Sequence, residues 1–298
     1  MLKICVDIGG TKTIVGLISQ DLEVVAYQKF TTYSDNPEKE FAEIVRVAQE
    51  YVQQYDDVAT TTLNIAMPGP CDYSKGIFIN LPNLQQYNGF HAGDYITEHS
   101  GFQPYFVNDT NAAILAEYRH LQTPVEDLIY LTISTGVGMA YVRNGKLVAG
   151  SEGNFGEIGH TILKSDSAYQ CPVCKQYGCV ENEISGVAIS RKASEILQKP
   201  VSTQEAIAMY NNDSNATITE MIEEVLLLTQ QLCTNLFSIF NCHNIVLGGG
   251  VIQSTLPYKA RIEGYAATHQ LIQTQPFKVK ISELESNVLT GLYDIDTQ

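Results

Sequence analysis

The sequence predicts an α/β protein of two similarly built domains facing across a cleft. Three observations lead there. Short apolar runs that end in Gly-rich turns alternate with stretches of helical periodicity. The second half repeats the order of the first: a hairpin-rich sheet, a Gly-rich turn, then helices and strands. Finally, 298 residues at 44% hydrophobic and 17% charged can fill two cores, and no low-complexity linker interrupts them.

Leu2 to Val6 is a strand that stops at Asp7-Ile8-Gly9-Gly10. Ile14 to Ile18 and Val24 to Phe30 extend it into an antiparallel meander. Asn36-Pro37 caps a helix with Phe41, Ile44, Val45, Ala48 and Val52 on one face. Thr61 to Ala66 returns as a strand and ends at Met67-Pro68-Gly69-Pro70. Tyr105-Phe106-Val107 is another strand, ending at Asn108-Asp109, and a helix follows through Ala112 and Ala116. In the second half, Leu128 to Ile133 runs into Ser134-Thr135-Gly136-Val137-Gly138. Ala140 to Arg143 pairs with Leu147-Val148 across Asn144-Gly145, a type I′ turn signal. Ile184 to Leu197 and Ile218 to Phe240 are helical, and Asn244 to Leu247 is a strand entering Gly248-Gly249-Gly250. The expected domains are 1–119 with 284–298, the smaller, and 120–283, the larger.

The net charge of −15 disfavours nucleic acid and anionic membranes as partners. No apolar run reaches the ~20 residues a membrane helix needs. The basic n-region of a secretory signal is missing. Seven cysteines is an odd number; Cys5, Cys233 and Cys242 lie in apolar strand or helix patterns. A reducing cytoplasm fits this usage.

The glycine turns suggest phosphate chemistry. In Asp7-Ile8-Gly9-Gly10-Thr11-Lys12, glycines let backbone N–H groups approach an anion, Thr11 adds a hydroxyl and Lys12 a charge. Asp7 at the strand end could hold Mg2+ through water. The bland alternative is a Gly-Gly hairpin turn with an exposed lysine. Thr135 and Gly136 repeat that chemistry in the second half, and Gly249-Gly250 could accommodate adenine or ribose. Neither a P-loop nor a Rossmann fingerprint is present.

The segment Cys171-Pro-Val-Cys174-Lys-Gln-Tyr-Gly-Cys179-Val-Glu181 follows Gly156-Glu157-Ile158-Gly159-His160. His160, Cys171, Cys174 and Cys179 form a Cys3His donor set of the structural Zn2+ kind. The competing readings are a redox CxxC and a core histidine.

Taken in order, Asp7–Lys12, Pro68-Gly69-Pro70, Asn108-Asp109-Thr110-Asn111-Ala112, Gly156–His160, the Cys174–Glu181 loop, Gly248–Val251 and Leu289-Thr290-Gly291 resemble the ROK family of repressors and sugar kinases. The resemblance spans essentially the whole chain. It implies an actin-like ATPase fold of two RNase H-like domains, with ATP in the cleft, and phosphoryl transfer to a hexose or N-acetylhexosamine hydroxyl, usually O6. It implies Asp109 as the catalytic base, with Gly69, Asn83, Asn108, Glu157, His160 and Glu181 among the sugar contacts. It also implies the zinc ligands above and a homodimer. One departure stands out: the usual Cys-x-Cys-Gly is here Cys171-Pro-Val-Cys174-Lys175. In addition, Ser134 replaces the usual Gly of the second phosphate turn.

These roles suit the residues. Phosphoryl transfer needs positioning, charge neutralisation and a base. Asp109 at a strand end can take the hydroxyl proton, or it can simply cap a helix. Glu157 and Glu181 can accept from sugar hydroxyls, or they can be solvated surface acids. A zinc-bound His160 would keep a proton on its other nitrogen and could donate it to sugar. The loop Asn80–Gly89 is expected to close on the sugar. Rival functions are a β-glucoside kinase and a sugar-sensing regulator. Family regulators carry a helix-turn-helix before the first strand, and this sequence starts at that strand.

Overall fold

The computed structural model describes residues 1–81, 84–121, 123–271 and 275–297. The chain divides into two compact units. The first comprises Met1–Pro124, Gly145–Phe155 and Leu284–Gln298; the second comprises Val125–Asn144 and Gly156–Glu283.

The first unit opens with the meander β1 (Leu2–Ile8), β2 (Lys12–Ile18) and β3 (Val24–Thr31). Helix α1 (Pro37–Gln54) starts where Asn36 accepts the Lys39 N–H and Pro37 fills the first helical position. Its buried stripe includes Phe41, Ile44, Val45, Ala48 and Tyr51. Then come β4 (Val58–Met67), the short pair β5 (Cys71–Asp72) and β6 (Ile77–Phe78), α2 (Ala92–Ser100), β7 (Gln103–Asn108) and α3 (Asp109–Arg119). The sheet order is β3-β2-β1-β4-β7. β1 pairs antiparallel with β2 but parallel with β4, which pairs parallel with β7. β1 is central, so it is apolar on both faces, as the continuous Ile4-Cys5-Val6 run requires.

The second unit repeats this plan. It contains β8 (Asp127–Ile133) and β9 (Val137–Arg143), followed in the chain by β10 (Lys146–Leu147). Asn144 and Gly145 have φ of 52° and 77°, the positive pair a type I′ turn demands. Helices α4 (Val180–Ile184), α5 (Gly186–Leu197), α6 (Thr203–Asn211) and α7 (Ala216–Phe240) follow. The unit continues through β11 (Asn244–Gly248), α8 (Tyr258–His269) and β12 (Lys278–Ile281). The sheet order is β10-β9-β8-β11-β12, in which β8 pairs antiparallel with β9 and parallel with β11, which pairs parallel with β12.

The chain then returns to the first unit through α9 (Asn287–Gly291), which packs against α3. Lys3 fastens this tail: buried, it donates to Tyr293 O at 2.9 Å and pairs with Asp296 at 2.6 Å. The expected boundary placed 145–155 in the second half, whereas these residues pack with the first unit. There, Asn154 Nδ2 donates to the Cys71 carbonyl at 3.1 Å. Among the described residues, no helix is long and apolar enough to cross a membrane.

Candidate functional site

Within the first unit, the end of β1 delivers Asp7 and a tight turn. Gly9 N donates to Lys12 O at 3.0 Å, closing the loop over Gly10 and Thr11. Asp7 has its carboxyl pushed up to about 6, first by burial and then by the charge of Asp109, with Lys12 opposing. Asp109 is the first residue of α3, directly after β7. The cap of that helix is Asn108, whose Oδ1 accepts the Thr110 N–H at 2.8 Å. Asp109 Oδ1 also meets Thr110 N (2.7 Å) and Thr110 Oγ1 (3.2 Å). Its side chain is crowded by protein yet solvent-accessible, and burial raises its carboxyl although the Thr110 bonds pull it down. Asn108 Nδ2 donates to Tyr73 OH at 3.3 Å, and a Cβ on Gly69 would lie 2.5 Å from that hydroxyl. Gly69, Tyr73 and Asn108 are therefore neighbours. Tyr73 went unnoticed in the sequence because nothing near it marks a contact reached across 35 residues.

In the second unit, Ser134 N donates to Gly136 O at 2.9 Å to form the second turn. Glu181, in the first turn of α4, accepts the Val137 N–H through Oε2 at 3.1 Å. A Cβ on Gly136 would lie 2.4 Å from that oxygen. Gly159 packs beside it, where an added Cβ would meet Val137 O at 2.6 Å and Glu181 Cβ at 3.4 Å. Glu181 thus ties the turn Ser134–Gly138 to the segment carrying Glu157 and His160. Glu157 is exposed and precedes the single 3-10 turn Ile158–His160.

His160, Cys171, Cys174 and Cys179 come together, with one ligand atom of each within 4.8 Å of all the others. His160 Nδ1 lies 3.9 Å from Cys171 Sγ. Burial opposes a Cys171 thiolate, but N–H donors from Cys174 and Val173 bring the thiol down to about 6. Burial pushes the Cys179 thiol up to about 12. Three sulfurs and one imidazole fit zinc.

A cavity of about 850 Å3 opens beside the second turn. Ser134, Thr135 and Gly250 line one side, and residues of α5 and α6 line the other. Its size falls in the range of roughly 300–1,000 Å3 usual for small-ligand sites. Just before Gly250, Gly249 has φ 92° and its Cβ position is 2.4 Å from Ile133 O, so only glycine fits. Gly186, Val187, Thr203, Ile207 and Ala208 line this cavity and were not identified from the sequence. They are ordinary helix residues without a motif.

Asn83 lies outside the described residues. Of its loop, Leu81, Leu84 and Tyr87 are buried in the core, while Asn80, Gln85, Gln86 and Asn88 are exposed.

The ROK family model matches residues 3–289. The chain belongs to the ROK family. It is 30% identical over 302 residues to the N-acetylmannosamine kinase of Vibrio vulnificus strain YJ016, covering 99% of this chain and 98% of that one. The ROK hexokinase from Thermus thermophilus superposes with TM-score 0.86 at 25% identity, covering 98% of this chain and 96% of the other. A ROK glucokinase from Streptomyces griseus, solved with glucose and AMPPNP, shares the fold with TM-score 0.78 at 21% identity, covering 99% of each chain. The architecture is accordingly the actin-like ATPase fold of ROK sugar kinases.

Lys175, the residue at which the sequence departs from the resembled Cys-x-Cys-Gly pattern, takes φ 62°, the left-handed conformation a glycine adopts more easily. Cys171 O accepts the Lys175 N–H at 3.0 Å, and Cys171 N donates to Gln176 O at 2.8 Å. The longer arm is absorbed in this turn, and Cys171 stays within the ligand cluster.

Proposed function

We propose that this ROK protein is an ATP-dependent carbohydrate kinase that phosphorylates a hexose or N-acetylhexosamine at O6. The observation that carries the reading is the state of Asp109. The helix cap is supplied by Asn108, and the Asp109 carboxyl is held above its ordinary range in an accessible position. A raised carboxyl is a stronger base for a hydroxyl proton.

In this mechanism Asp109 takes the proton of the attacking hydroxyl as the oxygen bonds to the γ-phosphorus of ATP, and ADP leaves. Asn108, Glu157, Glu181 and His160 are assigned to the other sugar hydroxyls, as is Gly69; Asn83, outside the described residues, keeps the same assignment. His160 Nδ1 is the ring nitrogen in contact with Cys171 Sγ; a metal held through it would leave Nε2 protonated, which suits a donor role. The turns Gly9–Lys12 and Ser134–Gly138, with Thr135 and Gly136, meet phosphate oxygens. Gly250 borders the cavity assigned to the nucleoside, and Gly249 precedes it in the same turn. Asp7, whose ionisation is opposed by burial and by Asp109, would hold Mg2+ through water, and the ion would neutralise phosphate charge. His160, Cys171, Cys174 and Cys179 would hold Zn2+, which would give the loop between Glu157 and Glu181 a fixed anchor. A homodimer belongs to this reading and is checked by solution mass.

The test is ADP release over a panel of hexoses, N-acetylhexosamines and β-glucosides, followed by product analysis for 6-phosphate. N-acetylmannosamine comes first, because the 30%-identical relative is named for it. Asp109→Asn should lower kcat by at least ~100-fold while sugar binding persists. Near-normal turnover by that variant would sink the base assignment.

A further inference from the structure

A fully buried acid lies beneath the first phosphate turn. Glu40, in the first turn of α1, is 0% exposed. Its Oε1 is in hydrogen-bond contact with Thr13 Oγ1 on β2. Thr13 Oγ1 is 3.1 Å from Thr32 Oγ1, just past the end of β3. Thr32 Oγ1 in turn donates to the carbonyl oxygen of Gly9 at 2.8 Å. The second carboxyl oxygen, Oε2, accepts the Tyr33 N–H at 2.8 Å. A continuous row therefore runs from the acid to the backbone of Gly9–Lys12. Thr32 N also donates to Thr11 O at 3.2 Å, fastening the same turn a second time.

Counting protons along the row decides its state. Three contacts join Glu40, Thr13, Thr32 and Gly9 O, and each needs one proton. A carbonyl has none to give, and each threonine hydroxyl has one. The third can come only from Glu40. If Glu40 is ionised, one contact leaves two oxygens facing each other without a proton, where Thr13 is 0% and Thr32 5% exposed. If Glu40 is neutral, the donors run one way: Glu40 to Thr13, Thr13 to Thr32, Thr32 to Gly9 O. Oε2 remains free to accept from Tyr33.

We propose that Glu40 is a neutral carboxylic acid and a positioning residue, whose proton orients the hydroxyl row that holds the Gly9–Lys12 turn. Its role in ATP use rests on the kinase reading above; its protonation state does not. The surroundings agree. Burial raises the Glu40 carboxyl most, and the charge of Glu43 one turn along α1 adds to it. Opposing these are the hydrogen bonds from Thr13 and Tyr33. Beyond β3, the Tyr87 phenol is pushed up by its own burial, then by Glu40 and Asp35. The Lys39 ammonium lies over the Tyr33 ring, 4.2 Å from its centroid.

Glu40→Gln is the diagnostic variant. Its amide N–H can donate to Thr13 and its oxygen can accept from Tyr33, so it reproduces the neutral acid. A raised carboxyl gives stability that is complete below the ordinary value of 4.5 and is lost as pH climbs through the folded value. Wild type should therefore lose ground to Glu40→Gln as pH rises above 4.5, by about tenfold in the folding equilibrium per pH unit until Glu40 ionises. At neutral pH, infrared difference spectra between the two proteins should show a neutral-acid C=O band that only wild type has. Wild type gaining on the variant as pH rises, without that band, would overturn the protonation. Neither readout requires activity, so failure of the kinase reading leaves them intact. For the positioning role, Thr32→Val should raise the ATP KM at least about fivefold, the value of one hydrogen bond, with sugar KM unchanged. Glu40→Gln should keep the wild-type ATP KM. An unchanged ATP KM in Thr32→Val, or equal rises for both substrates, would refute it.

Discussion

Gly136→Ala tests the link between Glu181, the proposed sugar contact, and the proposed phosphate turn Ser134–Gly138. The new Cβ would lie 2.4 Å from Glu181 Oε2 and 3.3 Å from its Cδ, while no backbone atom comes within 4 Å. The obstacle is the far end of a flexible side chain, so Glu181 can swing aside and the fold survives. In moving, the carboxylate gives up the Val137 N–H bond of 3.1 Å. A hydrogen bond to a charged group is worth about 1.5–3 kcal/mol net. Lost Glu181 contacts of that size to the sugar lower its kcat/KM by roughly 10- to 150-fold. The assay is steady-state kinetics with sugar and with ATP varied in turn, alongside thermal unfolding. Gly136→Ala combined with Glu181→Ala should be little worse than Glu181→Ala alone, because both remove the same contact. Wild-type sugar kinetics in Gly136→Ala, or fully additive losses in the double variant, would refute the reasoning.

Three further outcomes are expected. Elemental analysis should find one zinc per chain, and Cys179→Ser should lose both the metal and sugar affinity; metal-free protein that binds sugar normally would break that connection. Gly10→Val should raise the ATP KM far more than the sugar KM. An added Cβ at Gly10 meets nothing within 4 Å, so the fold tolerates it and only a ligand at the turn is obstructed. For Asp7, the folded carboxyl at about 6 exceeds the ordinary 3.8, so its contribution to stability is full below 3.8 and declines as pH rises through about 6. Asp7→Asn should therefore be about 1–3 kcal/mol more stable than wild type above that value, with the gap closing in acid, and should lose Mg2+-dependent turnover. Calorimetry at several pH values reads the first, and an ADP-release assay the second.

Sequence alone determined what depends on neighbours in the chain. The meander, the Asn36 cap and the Asn144-Gly145 turn follow from local propensity and period, and all three are found in the structure. The Cys3His cluster was also legible, because its three cysteines lie within nine residues and the histidine stands at the end of the preceding Gly-rich segment. Tertiary structure decided whatever depends on residues far apart. From the sequence Asp109 could have been either base or cap of α3, and only the geometry gives the cap to Asn108. The nucleoside-sized cavity is made from plain helix residues such as Val187 and Ile207, whose identity says only that they are small or apolar. The return of Gly145–Phe155 to the first unit, the approach of Glu181 to Gly136 and the proton row from Glu40 to Gly9 carry no local signature. The reason is physical: propensity and periodicity act over a few residues, whereas a cavity wall or a shared proton exists only once packing brings distant groups within hydrogen-bond reach.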